Sequence, residues 1–482
     1  MPATLLWYDL ETFGTNSKWD RIGQFAAIRT NDDFEQIGDP LEAYCRITPD
    51  YVPEPDACVL TRLTPQIVAS RGTTEAEFAA FVHRAMTEPN TCVAGYNNIR
   101  FDDEFIRNLF YRNFYDPYER EYAFGNSRWD ILDLLRMTHD LRPEGIRWVE
   151  DADGKPIFRL EELTIANGIA HRNAHDAMAD VRATIDLARI VREAQPKLFG
   201  FYFSLRKKDT VRRYLNLQNP RPIVHTSGMF TRPGGCTSIV YPVSVHPDPK
   251  QSNHVICYDL RFDPSSWVDL PPEEIRRRVF TRADELDPLK RVHLKGIHIN
   301  RSPAVAPLGT LTDERARAMG LDVAACERHA RVLAGRPDIV QKVRRVYEER
   351  DFPSYRDPEL NLYSGGFFGD EDKAAFEIIR SSPPERLVSE PPNLFDPRGP
   401  ELLRRYLARN FHDYLSAADR ERWRSFCASR LLAPEIDDAL DYGRFRTKVE
   451  NRLARGDTPA TNKPILRDLL QYADWLEEHI LK

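Results

Sequence analysis

Leu5-Leu6-Trp7-Tyr8-Asp9-Leu10-Glu11 is the stretch that decides the fold. Four apolar residues give way to charge and then to Gly14, the pattern of a short buried strand. Side chains alternate along a strand, so Asp9 and Glu11 share one face and Leu10 takes the other. Two carboxylates forced together repel unless cations lie between them. Taken alone, such a pair is far more often an exposed strand end. Working outward, residues 24–29 and 41–46 read as sheet neighbours of this strand. Residues 91–96 read as a further strand, followed by a helix over 102–115. From Asp176, the apolar positions Ala177, Val181, Ile185 and Ala188 recur at helical spacing to about Glu193. Strands alternating with helices predict an α/β layer fold over residues 1–195.

The character changes after Pro196. Residues 223–229, 237–245, 255–260 and 292–299 are β-rich and separated by turns such as Pro233-Gly234-Gly235 and Pro247-Asp248-Pro249. They predict a small barrel or sandwich within residues 196–350. From about Thr312 the pattern is mostly helical, broken by proline-rich connectors at 352–358 and 381–397. Residues 351–482 are therefore expected to form a helical domain, and Ile465 to Leu476 shows the cleanest helical period.

A chain of 482 residues is too long for one core, which agrees with three regions. No apolar run is long enough to span a bilayer, and the first residues lack the basic and apolar segments of a signal peptide. A cytoplasmic protein with no membrane partner is the expectation. The seven cysteines are scattered and never form Cys-x-x-Cys, which argues against zinc ligation and a disulfide framework. Net charge is −6, so a nucleic-acid binder of this composition must concentrate its positive residues locally. Two runs do so: Lys197 to Arg213, and Arg276-Arg277-Arg278 with Arg282.

Two further pieces supply acids. In Tyr96-Asn97-Asn98-Ile99-Arg100-Phe101-Asp102-Asp103-Glu104, Asp102 lies where strand gives way to helix, and Asp103 and Glu104 read as charges complementing the helix dipole. In His175-Asp176-Ala177-Met178-Ala179-Asp180, the histidine stands before the helix and Asp180 inside it. The combination is more specific than its parts. Asp9, Glu11, Asp102 and Asp180 are the hard oxygen donors that a pair of Mg²⁺ ions requires, with positions left for phosphate and water. A neutral His175 beside them can take the proton of an attacking water.

This set resembles the DEDDh branch of the DnaQ-like exonucleases, which have an RNase H-like fold. Longer runs resemble the bacterial exodeoxyribonuclease I family: residues 95–104, Arg112-Asn113-Phe114-Tyr115-Asp116-Pro117-Tyr118, Asn126-Ser127-Arg128-Trp129-Asp130, Leu141-Arg142-Pro143-Glu144-Gly145-Ile146, Phe158-Arg159-Leu160-Glu161 and His225-Thr226-Ser227-Gly228-Met229-Phe230. The resemblance extends to Ala408-Arg409-Asn410-Phe411 and so covers essentially the whole chain. It implies an α/β RNase H-like exonuclease domain, an SH3-like β domain with accessory helices, and a C-terminal helical domain arching over the active site. It implies Asp9, Glu11, Asp102 and Asp180 as ligands of two Mg²⁺ ions, with Mn²⁺ as a substitute, and His175 as general base. Arg159 would contact substrate near the scissile end, and Arg107 and Tyr118 the strand. Trp129, Trp148 and Tyr363 are candidates for base stacking. The implied reaction is processive 3′→5′ digestion of single-stranded DNA to 5′-mononucleotides, in repair and recombination, by a monomer. The resemblance also implies recruitment by the acidic C-terminal tail of single-stranded-DNA-binding protein, for which Arg142 is the candidate, a structural arginine being the equal alternative.

Other readings share these residues. A DEDDh exoribonuclease uses the same catalytic set, though the long extension argues against the compact RNA-trimming members. A polymerase proofreading subunit is expected to be shorter. A non-catalytic nucleic-acid scaffold is disfavoured because all five residues are present.

Overall fold

The computed structural model describes residues 4–170, 176–348 and 355–482. Five strands make the first sheet: β1 (Thr4–Thr12), β2 (Ile22–Thr30), β3 (Leu41–Tyr44), β4 (Thr91–Gly95) and β5 (Ser127–Asp130). Their order is β3-β2-β1-β4-β5, antiparallel from β3 to β1 and parallel from β1 to β5. Parallel neighbours need crossovers, and the helices Glu75–Thr87 and Asp102–Arg112 lie in them.

β1 is buried on both faces, as its apolar run requires. Leu5 and Trp7 join a core with Trp129 and with Val181 and Ile185 of the helix Ala177–Ala194, while Leu6, Tyr8 and Leu10 pack with Phe78, Phe105 and Ile106. Asp9 and Glu11 continue the face of Leu5 and Trp7, the one met by the Ala177–Ala194 helix. A β-bulge between Glu11 and Thr12 ends the regular pairing with β2.

The helix expected over 102–115 stops at Arg112. Phe114 takes a left-handed φ of 61°, and its ring is buried against Phe376 and Tyr406 of the C-terminal region. Tertiary packing thus pulls the chain out of the helix.

The second sheet is antiparallel throughout, in the order Leu294–His298, His254–Asp259, Thr237–Val245, Ile223–Thr226 and Ala304–Pro307. Its last strand was not expected, because Pro303 and Pro307 bracket so short a run. It lies at the sheet edge, where a proline costs no ladder bond. The proline-rich segment 381–397 is likewise not a plain connector: Pro384 opens a helix, Pro384–Ser389, at the position where its missing N–H is harmless.

The regions share cores. Phe199, Tyr202 and Phe203 pack with Trp7 and Trp129, and that cluster continues into Val224 and Val240 of the second sheet. Phe13, Trp19, Tyr51 and Phe114 of the first region share a cluster with Leu402, Tyr406, Trp423 and Leu469. All seven cysteines are buried and free. Among the described residues, no helix is long and apolar enough to cross a membrane.

Candidate active site

Asp9 and Glu11 reach the end of β1 just before the bulge, and Asp180 lies in the first turn of the Ala177–Ala194 helix. Asp176 caps that helix, accepting from the Ala179 N–H at 3.1 Å, which fixes where the turn begins. Ligand oxygens of Asp9, Glu11 and Asp180 all lie within 4.8 Å of one another, the one such group among the described residues. Asp102 is buried at the start of its helix, beside the Leu10 backbone at the same end of β1, and stands outside the close group of Asp9, Glu11 and Asp180.

Burial and mutual repulsion dominate the electrostatics. Asp9 is pushed well above the usual carboxylate range by desolvation, then by Asp102, Asp180 and Glu11. Asp102 is raised by desolvation and by Asp103. Glu11 is pushed up to about 8 by desolvation, Asp180 and Asp102. Such a site is short of positive charge, and its donors are all hard oxygens, so these residues fit divalent cations.

A stability prediction follows from the sign of the Glu11 shift. The folded chain keeps a proton that the unfolded chain releases above about 4.5, so without metal the stabilisation is present at low pH and fades as pH rises toward about 8. Thermal melts in chelator should show the melting temperature falling across that window, with Mg²⁺ restoring it at the upper end. A profile unchanged by Mg²⁺ contradicts the assignment.

The other expected site residues are placed as follows. His175 lies outside the described residues. Arg159 precedes the helix Leu160–Ala166, largely exposed, with Glu162 as its partner. Tyr118 is half-buried, with the Arg107 guanidinium 5.3 Å from its ring centre and the exposed Phe367 ring 5.9 Å away, edge to face. Arg107 itself is buried and committed to Glu104 at 2.7 Å and Glu121 at 2.8 Å, so it supports this aromatic pair rather than offering a free cation. Tyr363 is 40% exposed, its hydroxyl bonded to Glu104. Trp129 is not a stacking platform: it is fully buried against Trp7, Phe199 and Phe203. Trp148 is partly buried and donates to the Pro143 carbonyl. Arg142 lines a cleft of about 290 Å³ with Gln195, Lys197, Leu198, Phe201 and Thr310.

Asp103 and Glu104 are more than dipole charges. Asp103 is fully buried and accepts from Tyr8, Arg120 and Arg128, whose charges hold its carboxyl below the usual range despite burial. Glu104 pairs with Arg107 and, at 3.6 Å, with Arg301 of the second region. Part of the basic runs is neutralised locally, Arg212 by Asp209 and both Arg277 and Arg278 by Glu274.

Comparison with known proteins decides the family. An Exonuclease model matches residues 6–188, the Exonuclease I SH3-like domain matches 206–349, and the Exonuclease I C-terminal domain matches 356–476. The chain belongs to the exonuclease I family. Exodeoxyribonuclease I of Escherichia coli (strain K12) is 44% identical over 422 residues, 87% of this chain and 88% of that protein. The crystal structure of E. coli exonuclease I in complex with a dA16 oligonucleotide superposes with a TM-score of 0.93 at 40% identity, covering 98% of this chain and all of that one. The structure of SSB/exonuclease I in complex with the inhibitor CFAM has a TM-score of 0.89 at 39% identity, over 99% of this chain and 100% of that one. The architecture is therefore that of exonuclease I: an exonuclease domain, an SH3-like domain and a helical C-terminal domain. The enzyme is an exodeoxyribonuclease, a divalent-metal-dependent phosphodiester hydrolase.

Proposed function

We propose that this exonuclease degrades single-stranded DNA from its 3′ end, processively, releasing 5′-mononucleotides in DNA repair and recombination. The observation that carries the reading is the convergence of Asp9, Glu11 and Asp180 within 4.8 Å, with Asp102 buried at the start of the neighbouring helix. Asp9, Glu11, Asp102 and Asp180 would hold the divalent ions, two Mg²⁺ in this reading with Mn²⁺ as a substitute. When bound, the ions lower the pKa of the attacking water and balance charge on the departing 3′-oxygen.

The chain's own groups do the rest. His175 accepts the proton of the attacking water. Arg159 orients the terminal phosphate, its exposed side chain exchanging the Glu162 carboxylate for the phosphate. Tyr118 and Tyr363 present rings to bases, which accounts for tolerance of any sequence, since every base has a π-face. Processive digestion would need the strand to be enclosed between the exonuclease and helical domains, which pack on each other through Phe13 and Trp19. The oligonucleotide complex of the E. coli relative favours a DNA strand over RNA. The enzyme is read as a cytoplasmic monomer.

The cleft at Arg142 fits the acidic C-terminal tail of single-stranded-DNA-binding protein. A guanidinium and the Lys197 ammonium line it beside Leu198 and Phe201, a pairing suited to a carboxylate next to an apolar side chain. The SSB/exonuclease I structure supports this choice of partner. Arg142→Ala should weaken binding of a fluorescent tail peptide by roughly tenfold or more, as loss of a charged hydrogen-bond partner does. Unchanged affinity by anisotropy removes Arg142 from that role.

The substrate is tested with Mg²⁺ and end-labelled single-stranded DNA, duplex DNA and single-stranded RNA of one sequence. Preferential shortening of the single-stranded DNA is expected. Preference for the RNA moves the enzyme to the exoribonuclease reading.

A further inference from the structure

Three of the four active-site carboxylates are delivered by two backbones, Asp9 and Glu11 by β1 and Asp102 by the helix Asp102–Arg112, and residues next to those ligands are bonded to each other. Tyr8 precedes Asp9 and Asp103 follows Asp102. The Tyr8 hydroxyl donates to the Asp103 carboxylate at 2.6 Å, in a region closed to solvent. Asp103 also accepts from Arg120 at 2.5 Å and Arg128 at 2.6 Å, and its own N–H donates to the Asn98 carbonyl at 2.8 Å. Its carboxylate is thus held from several directions, and through Tyr8 it ties the start of the helix to β1.

The same network reaches the other two domains. Arg128 donates to the Asn300 carbonyl of the SH3-like domain at 3.2 Å and pairs with Glu121 at 3.0 Å. Glu121 holds Arg107, which donates to the Tyr363 hydroxyl of the C-terminal domain at 3.3 Å.

We propose that Tyr8 and Asp103 form a positioning brace that fixes Asp9 and Asp102 for metal binding, with Arg128 and Arg107 tying the seating of the SH3-like and C-terminal domains to that brace. Neither residue touches substrate. The inference rests on the metal-site reading above and adds to it the residues that set the spacing of the site. Groups behind metal ligands orient them, and their loss typically costs about 10–100-fold in metal affinity or activity.

The test is a calorimetric titration of the full-length chain with Mn²⁺, beside steady-state hydrolysis of single-stranded DNA. Asp103→Asn keeps the shape and removes the charge; it should weaken Mn²⁺ binding and lower kcat by about 10–100-fold while KM for the strand stays within about twofold. Tyr8→Phe removes only the hydroxyl and should move both quantities the same way by roughly fivefold, the worth of one hydrogen bond. A purely structural role would lower the melting temperature and leave the Mn²⁺ affinity of the folded fraction unchanged. Wild-type Mn²⁺ affinity in both variants overturns the brace, as does a change confined to KM. If Asp103→Asn does not fold, Tyr8→Phe decides alone. Failure of the wild-type chain to cut any strand would fall on the proposed function instead, and the calorimetric arm still reads the brace.

Discussion

Asp9→Asn should abolish hydrolysis, by roughly 10³-fold or more, since a metal site contributes several kcal/mol of transition-state stabilisation. The same variant should melt above wild type in chelator at pH 8. Asp9 sits among Glu11, Asp102 and Asp180, and all three repel its charge while burial denies it water. Asparagine fills the same space without the charge, so metal-free repulsion falls and the fold gains what the enzyme loses. The enzyme is thus expected to give up stability for function at this position. Single-turnover hydrolysis and thermal melts with and without Mg²⁺ check both halves. Activity within tenfold of wild type, or a lower melting temperature in chelator, contradicts the assignment.

Glu359→Gln should cost about 3–5 kcal/mol of folding stability, the expected result of stripping one partner from a buried ion network. Glu359 lies 2% exposed among Arg21, Arg405, Arg409 and Arg430, with Asp50 the other carboxylate shared by Arg21, Arg409 and Arg430. These arginines hold Glu359 well below the usual carboxylate range, Arg409 first, although burial alone would raise it. Arg21 and Asp50 belong to the exonuclease domain and the rest to the C-terminal domain, so the network clamps one to the other. Glutamine leaves their positive charges facing a neutral amide. Denaturation in urea should show the loss as a lower midpoint. A midpoint unchanged from wild type means that solvent or rearrangement compensates the arginines.

The fold's legibility differs from element to element for physical reasons. β1 could be read because Leu5 to Tyr8 is apolar on both faces and Asp9 and Glu11 then obey a two-residue alternation. The Ala177–Ala194 helix could be read because Val181, Ile185 and Ala188 repeat at its own period. Both signals are local. Phe114, by contrast, leaves its helix for a pocket built by Phe376 and Tyr406, hundreds of residues away, and nothing near it announces that. The edge strand Ala304–Pro307 was hidden by the prolines that its edge position tolerates.

The active-site set divides in the same way. Asp9, Glu11 and Asp102 are legible as acids at element ends and Asp180 as one within a helix, and the structure brings Asp9, Glu11 and Asp180 together with Asp102 buried nearby. Asp103 stands in the helix's first turn as its dipole reading expects, but its ion pairs are not legible because Arg120 and Arg128 come from later elements. Trp129 was offered as a stacking ring because composition does not separate a core tryptophan from an exposed one. Asp176 was legible only as the start of a helix; its contribution to the field on Asp9 and Glu11 needed coordinates.

The most direct test of the account is digestion of a 5′-labelled single-stranded oligonucleotide with Mg²⁺, beside the same reaction in chelator and with Asp9→Asn. The wild-type chain should shorten the strand from its 3′ end with release of 5′-mononucleotides, and the strand should stay intact in both controls. A strand that is bound by the wild-type chain yet stays intact at saturating Mg²⁺ would contradict it.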